Sequence, residues 1–199
     1  MTLRPDLALV ADLIPDGSRV LDLGCGGGAL LHHLCQERGC TGIGVEIDAG
    51  AVLEAIRAGV SVIELDIDRQ LDAFATRSFD VVVLSRTLQT IRRPEEVLQE
   101  MSRIGDRLIV SVPNFGWWGH RLRLIGGRMP MSKELPYAWY NTPNLRFTTL
   151  ADLEDLFAGL DLTVERRITL TVKGEPLKVA DRAANLMAGA AVYVLSPSR

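Results

Sequence analysis

Along its first 112 residues the chain alternates short apolar runs with longer stretches of mixed polarity. RVLDL (19–23), GIGVE (42–46), VSVIEL (60–65), FDVVVLS (79–85) and RLIVSV (107–112) are rich in valine, isoleucine and leucine. Runs this short, apolar on both faces, predict buried parallel strands, which helices cover above and below. The segments 28–38, 49–58 and 94–103 between them are helix candidates. The last begins Pro94-Glu95-Glu96: proline suits the first helical position, and the acids meet the positive end of the helix dipole. Alternation of this kind predicts a doubly wound, mostly parallel α/β sheet with right-handed crossovers. Two later runs, LDLTVERRITLTV (160–172) and AAVYVLS (190–196), read as strands around a short helix near 177–188. With no internal repeat and no low-complexity stretch, residues 1–199 read as one domain.

Composition narrows the partners. A net charge of −3 over 199 residues makes no global case for nucleic acid or an anionic membrane. The apolar stretch LALVADLIP is too short to span a bilayer and lacks a signal-cleavage pattern, so a cytoplasmic location is expected. Cys25, Cys35 and Cys40 form an odd set without C-x-x-C spacing. They read as reduced thiols, with no metal site.

One segment departs from the rest. Residues 115–147 hold seven of the eleven aromatics, every tryptophan among them, and five basic residues against one acid. This insert is near +4, leaving the remainder near −7. Three readings stand. Trp117, Trp118, Trp139 and Tyr140 pack a lid. Alternatively the aromatics exclude water while Arg121, Arg123, Arg128 or Lys133 holds an anionic substrate. Or the segment is a partner surface, since Trp, Tyr and Arg anchor interfaces. Single-stranded RNA would suit the aromatic–arginine mixture, but not an otherwise acidic surface.

The chemistry begins at VLDLGCGGGALL (20–31), where Gly24, Gly26 and Gly28 follow a strand and open a helix. A nucleotide-like ligand binds at that place in an α/β sheet. Read through Ala29, the loop also fits G-x-G-x-x-A, leaving a nicotinamide-dependent oxidoreductase open. Asp22 argues against it: a carboxylate beside the loop repels a pyrophosphate and suits an ammonium or sulfonium. S-adenosylmethionine (SAM) carries both. The plainer alternative is that Asp22 ties down the turn through its own hydrogen bonds. Glu46 ends the second strand, where a carboxylate can accept ribose hydroxyls. Asp66 follows the third, placed to meet the adenine amino group with the Ile67 backbone. Ser85 ends the fourth and joins this cofactor set. Acids at the tips of successive strands resemble the class I SAM-dependent methyltransferases, whose D/E-x-G-x-G-x-G loop is matched by Asp22, Gly24, Gly26 and Gly28. That resemblance implies a Rossmann-like seven-stranded sheet with an antiparallel final hairpin, and SAM or S-adenosylhomocysteine as cofactor.

RPDLALVADLIPDGSRVLDLGCG, SFDVVVLSRTLQTIRRPEEVL, SVPNFGWWGHRLRLIGGRMP and LPYAWYNTPN resemble, more specifically, the methionine biosynthesis protein MetW family. The likeness covers roughly residues 3–160. The family commonly has acids where Gly27 and Asn141 stand, and a histidine near Arg146. Membership implies a role beside a homoserine O-acyltransferase, as accessory or regulatory partner. The alternative is a free-standing methyltransferase on a small, anionic acceptor. No catalytic residue declares itself, and in-line methyl transfer needs a base only when the acceptor arrives protonated. Candidates for touching a substrate or partner are Gln89, Trp117, Trp118, His120, Arg128, Tyr137, Trp139 and Tyr140.

Overall fold

The computed structural model describes residues 3–132 and 135–198. Seven strands form one sheet: β1 (Arg19–Leu23), β2 (Thr41–Glu46), β3 (Val62–Glu64), β4 (Phe79–Ser85), β5 (Gly105–Pro113), β6 (Leu162–Leu170) and β7 (Ala190–Pro197), in the order β3-β2-β1-β4-β5-β7-β6. The first five are parallel, whereas β7 runs antiparallel to both β5 and β6. Strand order therefore reverses between β1 and β4, which opens a crevice above their C-terminal ends.

Among the described residues, seven helices flank the sheet: α1 (Pro5–Asp12), α2 (Ala29–Glu37), α3 (Ala49–Arg57), α4 (Pro94–Ile104), α5 (Trp118–Ile125), α6 (Leu150–Gly159) and α7 (Asp181–Met187). The two faces of the sheet divide the core by residue parity, because successive strand side chains point opposite ways. Leu21, Leu23, Val82, Leu84, Leu108 and Val110 meet Leu98 and Met101 of α4 and Phe157 of α6. Val20, Val81, Val83 and Ile109 meet Val10 of α1 and Leu30 and Leu34 of α2. Strands β1, β4, β5 and β7 fall where their apolar runs lie. The run 60–65, expected to be buried on both faces, instead yields a three-residue edge strand with Ile63 42% exposed. Having a neighbour on one side only, β3 is covered incompletely.

The apolar spacing of Leu7, Val10 and Ala11 builds α1, with Pro5 in its first turn, and Ile14 packs into the same core just beyond its end. Helix α6 starts in a capping box: the Thr149 hydroxyl accepts from the Asp152 amide, and Asp152 Oδ2 accepts from the Thr149 amide. Neither helix, nor α5, is among the segments 28–38, 49–58 and 94–103 picked out in the sequence. No helix among the described residues is long and apolar enough to cross a membrane.

The insert departs from the tip of β5 at a buried asparagine. Asn114 Nδ2 donates to the carbonyls of Asn185 (2.9 Å) and Ala188 (2.8 Å), while its Oδ1 accepts from the Gly116 amide (2.9 Å). Asn114→Ala strands two carbonyls and an amide, so it should cost about 1–3 kcal/mol in chemical denaturation. The insert returns across the sheet tip, where the Leu145 and Arg146 amides donate to the Gln89 carbonyl (2.8 and 3.0 Å).

Candidate functional site

The glycine loop is held from the neighbouring strand. The Gly24 and Cys25 amides donate to the Val45 carbonyl (2.8 and 3.0 Å), and the Gly26 amide donates to Glu46 Oε2 (2.9 Å). Glu46 Oε1 accepts from the Ile47 and Asp48 amides (2.8 and 3.0 Å), so this one carboxylate joins the loop to the tip of β2. Two glycines are required by geometry. At Gly24 (φ +73°) an added Cβ would lie 2.5 Å from Thr87 Oγ1; at Gly26 (φ +55°) it would meet nothing within 4 Å, so the loop faces open space.

Asp22 lies at the floor of the cleft, 3% exposed, and not at its mouth as its place beside the loop suggests. No residue among those described donates a hydrogen bond to its carboxylate, so tying down the turn is not its role. Burial, and then the nearby Glu46 charge, push the Asp22 carboxyl up from 3.8 to about 7. A buried acid without a donor beside a second acid is an arrangement whose charge a cation would offset. The same geometry disfavours a diphosphate: the Gly26 amide that would cradle a phosphate already serves Glu46. Burial, with Asp22 and Glu46 adding to it, pushes the neighbouring Cys25 thiol up to about 12, which leaves it unreactive.

Two hollows that share lining residues flank this floor. One, of about 620 Å³, is lined by Gly24, Glu46, Asp66, Ile67, Arg86 and Thr87 among others, and the insert's Pro143 and Leu145 close its far side. The other, of about 410 Å³, runs over Asp22, Gly26 and Ser85 to Leu3, Arg4 and Leu7, where α1 covers it. Gly24, Arg86 and Thr87 belong to both. The structure thus brings Asp22, Gly24, Gly26, Glu46, Asp66, Ile67 and Ser85 around one cleft, with Gly28 behind it as the left-handed cap of α2 (φ +77°). Asp66 Oδ1 accepts from the Asp68 amide (3.0 Å), and Ser85 Oγ shares a hydrogen bond with Ser111 Oγ (3.1 Å).

Sequence reasoning missed Arg86, whose guanidinium is 2.9 Å from the buried Asp6 carboxylate. The pair pins α1 over the cleft, with Arg86 itself in the left-handed region at φ +55°. An acid in the first turn of an N-terminal amphipathic helix was the available signal.

The substrate or partner candidates scatter. His120 is fully buried, 5.2 Å from the Trp117 ring and 5.8 Å from Phe115, and burial holds its imidazole neutral by lowering its pKa. It packs the base of the insert and does not present itself to a substrate. Trp117 and Trp118 lie 5.2 Å apart, and Trp139 meets Tyr140 edge-on at 5.7 Å. Trp118, Arg128, Tyr137, Trp139 and Tyr140 face solvent. Gln89 lines a separate apolar cavity, not the cleft. Lys133 lies outside the described residues.

Fold and cleft together define a protein with the class I methyltransferase fold. A solved S-adenosylmethionine-dependent methyltransferase from Mesorhizobium loti superposes with a TM-score of 0.70 at 15% identity, covering 96% of this chain and 97% of that one. The chain belongs to the methionine biosynthesis protein MetW family, whose family model matches residues 4–195. It is 36% identical over 202 residues to the bifunctional methionine biosynthesis protein MetXA/MetW of Rhodopirellula baltica, covering 96% of this chain and 32% of that protein. The chain therefore spans about a third of that relative's length. A ubiquinone biosynthesis O-methyltransferase of Pseudomonas fluorescens is 32% identical over 163 residues, 78% of this chain and 68% of that one.

Proposed function

We propose that the cleft binds SAM or S-adenosylhomocysteine, and that the chain serves methionine biosynthesis as an accessory or regulatory partner of a homoserine O-acyltransferase. Asp22 takes the cationic end, Glu46 the ribose hydroxyls, and Asp66 with the Ile67 backbone the adenine. When bound, SAM supplies an electrophilic methyl group. Asp22 and Glu46 position the molecule, and α1, held by the Arg86–Asp6 pair, excludes water. Glu46→Ala should weaken SAM binding by about 1.5–3 kcal/mol, the range of hydrogen bonds to charged groups. Unchanged affinity in calorimetry would mean that the ribose lies elsewhere.

The observation that carries the partner reading is the distribution of exposed apolar surface. Among the described residues, 11 of the 18 large hydrophobic side chains left exposed lie between Trp118 and Phe147. That concentration of exposed apolar side chains on one segment supports an interaction surface there. The bifunctional relative, which joins MetXA to MetW in one chain, supports a standing association. Because SAM is made from methionine, its occupancy would report pathway output to the acyltransferase. Linkage then requires different SAM affinities in the free and associated protein. Acyltransferase turnover, measured with this chain present and SAM titrated, should shift with a saturable dose dependence; a flat response at every concentration overturns the regulatory role.

The 32% identity to an O-methyltransferase favours a second reading, methyl transfer to a small, anionic acceptor. Labelled SAM incubated with cell extract distinguishes the two, since a methylated product supports the enzyme.

A further inference from the structure

A line of hydrogen bonds runs from the cofactor acids to the insert. Asp66 Oδ1 accepts from the Asp68 amide (3.0 Å), so the Asp66 carboxylate sets the turn in which Asp68 sits. The Asp68 carboxylate accepts in turn from the Arg92 amide (3.0 Å at Oδ1, 3.1 Å at Oδ2) and from the Arg93 amide (2.9 Å). The Arg93 guanidinium strengthens the same contact by donating to the Asp68 carbonyl. Arg92 carries the line into the insert, its carbonyl accepting from Arg146 Nη2 (2.9 Å). Asp66, Asp68 and Arg92 all line the cleft.

The insert end of this line is lightly held. Residues 142–149 form neither helix nor strand. Leu145 and Arg146 attach the segment to the body of the domain, through their amides to the Gln89 carbonyl (2.8 and 3.0 Å) and through the Arg146 side chain to Arg92. An exposed segment with so few backbone hydrogen bonds opens locally at low cost. The same stretch carries Trp139 and Tyr140, 71% and 74% exposed, which belong to the apolar patch, while its Pro143 and Leu145 close the cleft. Cleft wall and candidate partner surface therefore share one short piece of chain.

We propose that the line Asp66–Asp68–Arg92–Arg146 couples occupancy of the cleft to the conformation of the insert, which makes Asp68 and Arg146 positioning residues for the partner surface. The coupling rests on SAM occupying the cleft, as proposed above, and gives its regulatory effect a route. An adenine amino group held by Asp66 fixes that carboxylate, and with it the 66–68 turn. Asp68 then holds Arg92, and the Arg92 carbonyl stays in place for Arg146. An empty cleft leaves Asp66 free to move, and the loosening passes along bonds that each depend on the one before. Binding at the adenine end thus reduces the opening of residues 139–147. A partner that docks on the closed segment then binds the liganded protein more tightly.

Hydrogen exchange read by mass spectrometry on the full chain tests this, at SAM concentrations that saturate each protein in calorimetry. In wild type, SAM should slow exchange about tenfold both in the glycine loop, 24–28, and in 139–147. Asp68→Ala and Arg146→Ala should each keep the slowing at 24–28 and lose it at 139–147. Arg146→Lys, which can still donate to the Arg92 carbonyl, should restore it. Slowing at 139–147 that survives in both alanine variants would mean that SAM acts on Pro143 and Leu145 directly, and overturns the coupling. Slowing confined to 24–28 in wild type also overturns it, and leaves SAM in the cleft. If calorimetry shows no SAM binding and neither segment responds, the cofactor reading fails and the coupling falls with it. Arg146 is exposed, so its variants decide the matter even if Asp68→Ala does not fold: full slowing at 139–147 in Arg146→Ala then suffices to overturn the coupling.

Discussion

Asp22→Asn should lose most of its SAM affinity while becoming the more stable protein at pH 8. The two effects have opposite signs and one origin. Wild-type Asp22 titrates near 7 in the folded chain against 3.8 ordinarily, so between those values the folded state holds a proton that the unfolded chain has released. The contribution of Asp22 to stability is then full below about pH 4, falls as pH rises, and levels off above about 7. The total cost of ionising this buried carboxyl is on the order of 4 kcal/mol. Asparagine has the same shape and carries no charge, so its thermal melts should lack this slope and exceed wild type at pH 8. For the ligand, the charge is what matters. A sulfonium or ammonium needs the carboxylate ionised, so wild-type affinity should fall up to tenfold per pH unit below about 7. The variant should bind roughly 30- to 1000-fold more weakly, with little pH dependence, because it has lost a charge-assisted contact in a dry site. Calorimetry from pH 6 to 8 and melts over the same range measure both. Wild-type-like affinity in the variant, or a lower melting point at pH 8, would remove Asp22 from the cation seat.

That conflict between stability and binding was only half visible in the sequence. The strand-tip acids could be found because parallel α/β topology brings the C-terminal ends of β1, β2 and β3 to one edge of the sheet, whatever the details of packing. Position along the chain therefore stood in for position in space. Depth did not follow in the same way. Asp22 lies on the floor because β1 is central, flanked by β2 and β4, whereas Ile63 is exposed because β3 is outermost. Apolar runs such as 60–65 give strand identity but not strand order, which is settled by pairings distant in sequence. The Arg86–Asp6 pair illustrates the same limit: eighty residues separate its members, and the left-handed backbone at Arg86 has no residue-type signature. Helix α6 was legible and was passed over. Thr149 and Asp152 have capping-box spacing, followed by Leu150, Leu153 and Phe157 on one face. The insert's composition marked it as special, but not which of its aromatics pack inward. His120 is buried and Trp139 exposed, a difference that depends on packing and not on residue type.

If the proposed association with an acyltransferase holds, Ile125→Asp combined with Trp139→Asp should abolish it while leaving the fold and the cleft intact. Ile125 is 83% exposed and Trp139 71% exposed, and neither lines the cleft. Removing an exposed apolar side chain changes folding stability by only about ±0.5 kcal/mol, so melts and SAM affinity should stay at wild-type values. At an interface the same residues become anchors. Truncating such a residue commonly costs about 2 kcal/mol or more, and a buried, unpaired aspartate adds its own desolvation. Two of them should weaken association by at least roughly a thousandfold. The concentration of this chain needed to alter acyltransferase turnover should rise accordingly. The neighbouring Arg123 and Arg128 are exposed on the same segment, so wild-type association should also weaken with added salt, chiefly through a slower on-rate. Leu53→Asp on α3, 53% exposed and outside the insert, provides the control, because it makes the same change in chemistry elsewhere on the surface. If the double variant acts on the acyltransferase at the same concentration as wild type, the insert is a lid over the domain and the partner contact lies on another face. If Leu53→Asp weakens the action as much as the double variant does, the loss reflects surface charge in general and not this segment.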